Sequence, residues 1–466
     1  MRGSRVLAIG LLAFATGGLL GLDAAGFVHG PISGALAQRD FADAQTAAAL
    51  PQGAVAAPVL ASSSTITSKS PTTAGLTKAL KPFVSSPAFG SDVAIVVVDA
   101  TDGRSLYAKQ PDRAQAPAST AKLLTAVTAL TALGPNATIS TTVVDAGSSI
   151  VLVGGGDPTL TTSRVRGSTA PSLDQLATVT AAALTKAGRT SVTLRFDDSL
   201  FSAPTTSPAW PATYVSSGVV SPVTALRVDG GRVRPTNDAR VSDPSTVAAQ
   251  RFAAALSARG IAVKGAVKRV VVPQGSARIA SVQSAAVSDI VEQMLTTSDN
   301  DTAEDLAHLS GVALGTGGSF VGGAAATQQV LSRLGILTTG LKLQDGSGLS
   351  RTDVASSRTL AGALVAAADL TQPTLRSTLT GLPIAGFTGT LTKRFDTSTT
   401  QQARGVARGK TGTLTGVTSL AGMVVDRSGH ALVFVVMADQ VPAGGTLAAQ
   451  AASDRIVAVL ASCGCS

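Results

Sequence analysis

The chain has 466 residues, of which 44% are hydrophobic and only 3% aromatic, and carries a formal net charge of +9. That much apolar material excludes global disorder and predicts large cores built from Ala, Val and Leu. The basic residues are spread thinly and aromatics for base stacking are scarce, so nucleic acid is not expected as a partner; general surface charge, or a weak attraction to an anionic cell surface, remains.

The N-terminus, MRGSRVLAIGLLAFATGGLLGLDAAG, sets Arg2 and Arg5 before an apolar run from Val6 to about Leu22. Residues 1–37 are expected to be a signal peptide or a membrane anchor. Ala35-Leu36-Ala37 fits a small-residue cleavage site, and the run is near the shortest that spans a bilayer. Either way the bulk of the chain is expected to be extracytoplasmic. Residues 38–80, rich in Ala, Ser, Thr, Pro and Gln, read as a flexible linker.

Residues 81–145 open a folded unit. Val93–Val98 and Ser105–Lys109 read as a hairpin turning at Thr101-Asp102-Gly103, and QAPASTAKLLTAVTAL (115–130) reads as an apolar helix. Residues 146–283 carry short β-like runs between Gly, Pro and Ser turns, interrupted by the helical VAAQRFAAALSARG; they read as inserted, strand-rich domains. Residues 284–466 end on TLTGVTSLAGMVVD and HALVFVVMADQ, two strands joined at Asp426–Gly429, and then a closing helix. Strands at both ends with helices between predict an α+β fold, one antiparallel sheet closed by the two ends of the unit. Cys463 and Cys465 leave a strained disulfide or free thiols equally open, and are too few for structural zinc. The cysteine-free remainder suits an oxidising compartment.

The candidate chemistry is defined first by what the chain lacks. It has three histidines and two glutamates, no Gly-x-Ser-x-Gly elbow and no cluster with metal-ligand spacing, so neither a Ser-His-Asp triad nor a metal or other cofactor is expected. A serine nucleophile would need a lysine as its base. Ser119 and Lys122 stand three apart at the head of the apolar helix, where i and i+3 side chains share a face. A dry site would let Lys122 lose its charge and accept the serine proton, and free N–H groups at the helix head favour an oxyanion. About one Ser-x-x-Lys is expected by chance in a chain with 11 lysines. Two further pieces narrow the reading: Ser298-Asp299-Asn300 before AEDLAHL, and Lys410-Thr411-Gly412-Thr413 at the mouth of a strand.

Ser-x-x-Lys, Ser-x-Asn and Lys-Thr-Gly in this order resemble the motif set of penicillin-recognising serine enzymes. The long gap between Lys122 and Ser298 is similar to the D-alanyl-D-alanine carboxypeptidases of the low-molecular-mass class C penicillin-binding proteins, as are LVGGGDPTLT, FDDSLF, TALRVDGGR, DGSGLSR and LPIAGFTGTL. The resemblance covers about residues 85 to 460. It implies a transpeptidase-like domain with inserted domains, peptidoglycan stem peptides as substrates and beta-lactam antibiotics as covalent inhibitors. It implies that Ser119 attacks the carbonyl between two D-alanines while Lys122 takes its proton. Ser298 would relay a proton to the leaving amine in the field of Lys410 and Lys122, and Asn300 would bind the substrate amide and orient Lys122. Lys410, Thr411 and Thr413, around Gly412, would meet the terminal carboxylate, and the N–H groups of Ser119 and Thr413 would form the oxyanion hole. Endopeptidase action is a second activity left open. The competing readings are a beta-lactamase or esterase on the same scaffold and a non-catalytic wall-binding scaffold; a glutamate placed between the first two motifs, which one lactamase class wants, is missing.

Overall fold

The computed structural model describes residues 71–465 except 165–166, 235–237 and 274. Residues 1–37 and most of the expected linker lie outside the described residues, and among the described ones no helix is long and apolar enough to cross a membrane. The first described element corrects the linker's end: Thr73–Leu80 is a helix, α1, capped by the Thr72 hydroxyl, which accepts from the Gly75 N–H at 3.0 Å. Its Leu76 and Leu80, one turn apart, are fully buried. The Thr-, Ala- and Gly-rich surroundings hide that two-residue apolar face in the sequence.

The expected antiparallel sheet is present. It joins β1 (Val93–Asp99) and β2 (Ser105–Lys109) to β8 (Ala407–Leu414), β9 (Val417–Val425) and β10 (Ala431–Ala438) in the order β8-β9-β10-β1-β2. Strand alternation sends side chains to two faces. Ile95, Val97, Leu432, Phe434 and Val436 pack with α1 and with the closing helix Thr446–Ser462, called α9. Val96, Val98, Val433, Val435 and Met437 pack with a helical layer on the other side. That layer holds α2 (Lys122–Leu133), α5 (Val287–Thr297), α6 (Asn300–Ala313), α7 (Phe320–Arg333) and α8 (Ser357–Ala368). Beyond α9 the chain turns, and Cys463 and Cys465 are joined as a disulfide with Cα atoms 5.1 Å apart.

The second sheet runs β7-β3-β4-β5-β6, from β3 (Ser140–Asp145), β4 (Ile150–Val153), β5 (Leu194–Asp197), β6 (Lys268–Arg269) and β7 (Ala277–Gln283). Residues 140–145 fall within the expected first part of the main domain, but as β3 they pair with β7 and β4 and so belong to the inserted sheet. The β4–β5 and β5–β6 pairs are parallel, which requires crossovers. Helices α3 (Leu173–Lys186), which the sequence reading left out, and α4 (Pro244–Ser257) lie in those connections and share a core with the sheet through Leu176, Phe196, Phe252 and Leu256.

Two local features position the site. β8 is an edge strand. The segment Pro383–Ala385 covers its outer side as far as Gly409, whose N–H donates to Pro383 O at 2.9 Å, while Ala385 N–H donates to Ala407 O at 2.9 Å. From Lys410 onward no described strand pairs with that edge. The second feature is the α5–α6 junction, where Ser298 takes left-handed backbone (φ +60°) to end α5, and the Asp299 side chain accepts from Thr302 N–H at 2.7 Å to cap α6.

Candidate active site

Ser119 sits in a single 3-10 turn, Ala118–Ala121, immediately before α2. Ala118 has φ +48°, a conformation a residue with a Cβ holds only when its surroundings impose it. Four residues do so here. Thr120 Oγ1 and Ser419 Oγ donate to Pro117 O at 2.6 and 2.7 Å. Gly412 lies against the same turn, where a Cβ would stand 2.7 Å from Pro117 O. Gly348 lies beneath it, where a Cβ would meet Ala118 O at 1.9 Å.

Lys122, the first residue of α2, is fully buried. Its Nζ stands 3.0 Å from Ser119 Oγ, 2.8 Å from Asn300 Oδ1 and 2.8 Å from Ser347 O. The last two can only accept, so they take two amine hydrogens. A neutral Nζ then keeps its lone pair for the Ser119 hydroxyl. Burial pushes the Lys122 amine down to about 8, against the pull of Asp345 and Glu304. Lys410, also fully buried, donates to Ser298 Oγ at 2.8 Å and to Thr411 O at 2.9 Å. Burial, and then the charge of Lys122, hold Lys410 well below the ordinary lysine range.

The residues singled out in the sequence therefore fall into two adjoining groups. Ser119, Lys122 and Asn300 form one; Ser298 and Lys410 form the other, with Gly412 packed beneath the Ser119 turn. Thr411 and Thr413 alternate with Lys410 along β8, and their hydroxyls meet Thr390 Oγ1 at 2.9 Å and Gln450 Nε2 at 3.2 Å.

Sequence reasoning missed the support beneath Lys122. Glu304, one turn along α6 from Asn300, is fully buried and accepts from the N–H groups of Gly346 and Ser347 at 3.0 and 2.8 Å. Asp345 accepts from Gly348 and Ser350 N–H at 2.6 and 2.7 Å. The two carboxyl groups hold the loop 345–350 so that the Ser347 carbonyl faces Lys122. Burial, and then Asp345, push Glu304 up to about 8, and burial, then Asp345, push Asp353 up to about 10. The available signal was the run Asp-Gly-Ser-Gly, whose glycines admit a tight loop against a neighbouring backbone; a buried glutamate on a helix leaves no sequence signature. His308, on the same helix, is buried and contacts Phe201 and Phe320.

The chain is 37% identical over 410 residues to a carboxypeptidase of Mycobacterium tuberculosis and 36% identical over 411 residues to carboxypeptidase DacB of Mycolicibacterium smegmatis, covering 86% of each chain in both cases. A D-alanyl-D-alanine carboxypeptidase of an Actinomadura species is 34% identical over 218 residues, 45% of this chain and 37% of its own. In fold, the chain is similar to penicillin-binding protein 4 of Haemophilus influenzae, with a TM-score of 0.67 at 22% identity over 83% of this chain and 97% of that one. The model of the D-Ala-D-Ala carboxypeptidase 3 (S13) family matches residues 76–240 and 234–463, and the chain belongs to that family.

Proposed function

We infer that this chain is a serine-type D-Ala-D-Ala carboxypeptidase that trims peptidoglycan stem peptides outside the cytoplasm and is acylated by penicillins. Family membership supports the reaction, and one observation supports the residues: a buried amine within hydrogen-bonding distance of one serine hydroxyl, its other two partners both acceptors. Ser119 is the nucleophile and neutral Lys122 its base. The N–H groups of Ser119 and Thr413 receive the oxyanion. Ser298, held by Lys410, passes the proton to the departing D-alanine amine, and water then hydrolyses the acyl-enzyme. The substrate lies along the open edge of β8 from Lys410 onward, as an added strand. Its terminal carboxylate meets Lys410 with the Thr411 and Thr413 hydroxyls, and that negative charge restores the proton on Lys410. Residues 1–37 deliver the chain across the membrane.

The lactamase class that deacylates through a dedicated glutamate would need one free to act on water. Glu304 is occupied by two backbone N–H groups, and Glu292 accepts from the Thr380 hydroxyl. The test is D-alanine release from a peptide ending in D-Ala-D-Ala, beside labelling with fluorescent penicillin. The native chain should do both, and Ser119→Ala and Lys122→Arg should do neither while melting normally. Normal labelling of Lys122→Arg would reject lysine as the base.

A further inference from the structure

The inserted region reaches the site by one long connection, residues 198–243, between β5 and α4. Four of its groups end on α6. Asn300 Nδ2 donates to Val219 O at 2.9 Å. Ser221 N–H donates to Asp301 Oδ1 at 2.6 Å, and Arg240 Nη2 reaches Asp301 Oδ2 at 3.1 Å. Arg227 pairs with Asp305 and donates to Asp301 O at 3.4 Å. These are not surface pairs: the side chains of Arg227 and Asp305 are each 2% exposed, and those of Arg240 and Asp301 4% and 7%. A fifth group ends on the neighbouring loop, where Trp210 Nε1 donates to Asp345 Oδ2 at 2.6 Å.

The two elements gripped in this way, the N-terminal turn of α6 and the loop 345–350, supply the two acceptors of Lys122, Asn300 Oδ1 and Ser347 O. We propose that the connection 198–243 is the outer brace of the catalytic lysine, with Arg227, Arg240 and Trp210 as positioning residues that aim Lys122 at Ser119 through Asn300 and Ser347. The inserted domain is thus part of the acylation machinery. Without the brace the first turn of α6 is free to rotate, the amide of Asn300 leaves Nζ, and the lone pair is no longer directed at the serine hydroxyl. This inference rests on the assignment of Lys122 as base.

The test is the acylation rate of the full chain with fluorescent penicillin, measured at a temperature where circular dichroism shows every variant folded. Arg227→Met should acylate at least tenfold more slowly, and Arg240→Gln and Trp210→Phe several-fold more slowly. Arg259→Ala, which removes a partly exposed ion pair with Asp174 in the insertion, outside the connection, should match the native chain. A double-mutant cycle separates positioning from general weakening. If Arg227 acts through Asn300, Arg227→Met in an Asn300→Ala background should change the rate by less than twofold. Losses that multiply independently would overturn the proposal, as would native rates in the folded variants. Should Arg227→Met fail to fold, Arg240→Gln takes its place in the cycle. A native chain that penicillin does not label would instead overturn the enzyme reading, and the inference with it.

Discussion

A lysine with no exposed surface is costly to keep charged, and in the proposed mechanism the protonation of Lys122 sets the pH at which the site works. The Lys122 amine titrates at about 8 because burial penalises its charged form. At pH 7 roughly one molecule in ten holds the neutral amine that can accept a proton. Since the pKa is depressed, the active form gains with rising pH. Acylation by penicillin should climb about tenfold per pH unit below the pKa and level off above about 8. A rate flat from pH 6 to 8, measured by stopped-flow labelling, would show that Lys122 is not the base. This residue was legible in the sequence because side chains three apart on a helical turn share a face, and its Nζ does stand 3.0 Å from Ser119 Oγ. Glu304 was not, since its work is done on the backbone N–H groups of a loop some 40 positions away, and nothing local marks such a contact.

At the scale of elements, strand β8 does two things at once. Its outer edge opens at Lys410, and its inner side supports the turn that presents Ser119. Gly412 is the point where the second task needs an absent side chain: a Cβ there would lie 2.1 Å from Ser419 Oγ as well as against Pro117 O. Gly412→Ala should push Ser419 off Pro117 and release the strained Ala118, slowing acylation at least tenfold while Tm falls by only a few degrees. An alanine variant that acylates at the native rate would show that the turn does not depend on the strand. The hairpins on either side were legible because their apolar alternation and Gly-containing turns are local signals. α3 was not, because LDQLATVTAAALTK is mostly Ala and Thr outside its three leucines, and only the inserted sheet defines its buried face. The place of β3 in the inserted sheet was not legible for a related reason: its partner β7 lies more than a hundred residues away, and pairing over that distance leaves no trace in either strand.

Across the whole molecule, the two ends of the described chain close on each other. Thr72 N–H donates to Cys465 O at 2.8 Å, and Leu76 and Leu80 of α1 share a core with Phe89, Ile456 and Leu460. Fully burying two leucines contributes about 4 kcal/mol. A chain beginning at residue 81 should therefore melt several degrees below one beginning at residue 38, and equal melting temperatures by calorimetry would show that α1 adds nothing. The same scale explains the insertion. A region that looks detachable in the sequence reaches back through Asn300, Asp301 and Asp345 to the elements that hold Lys122. The most direct test of the account as a whole is to map the penicillin adduct by tandem mass spectrometry of the digested, labelled chain. The account predicts a single acylated residue, Ser119, and no adduct in Ser119→Ala; an adduct on any other residue, or none in the native chain, would contradict it.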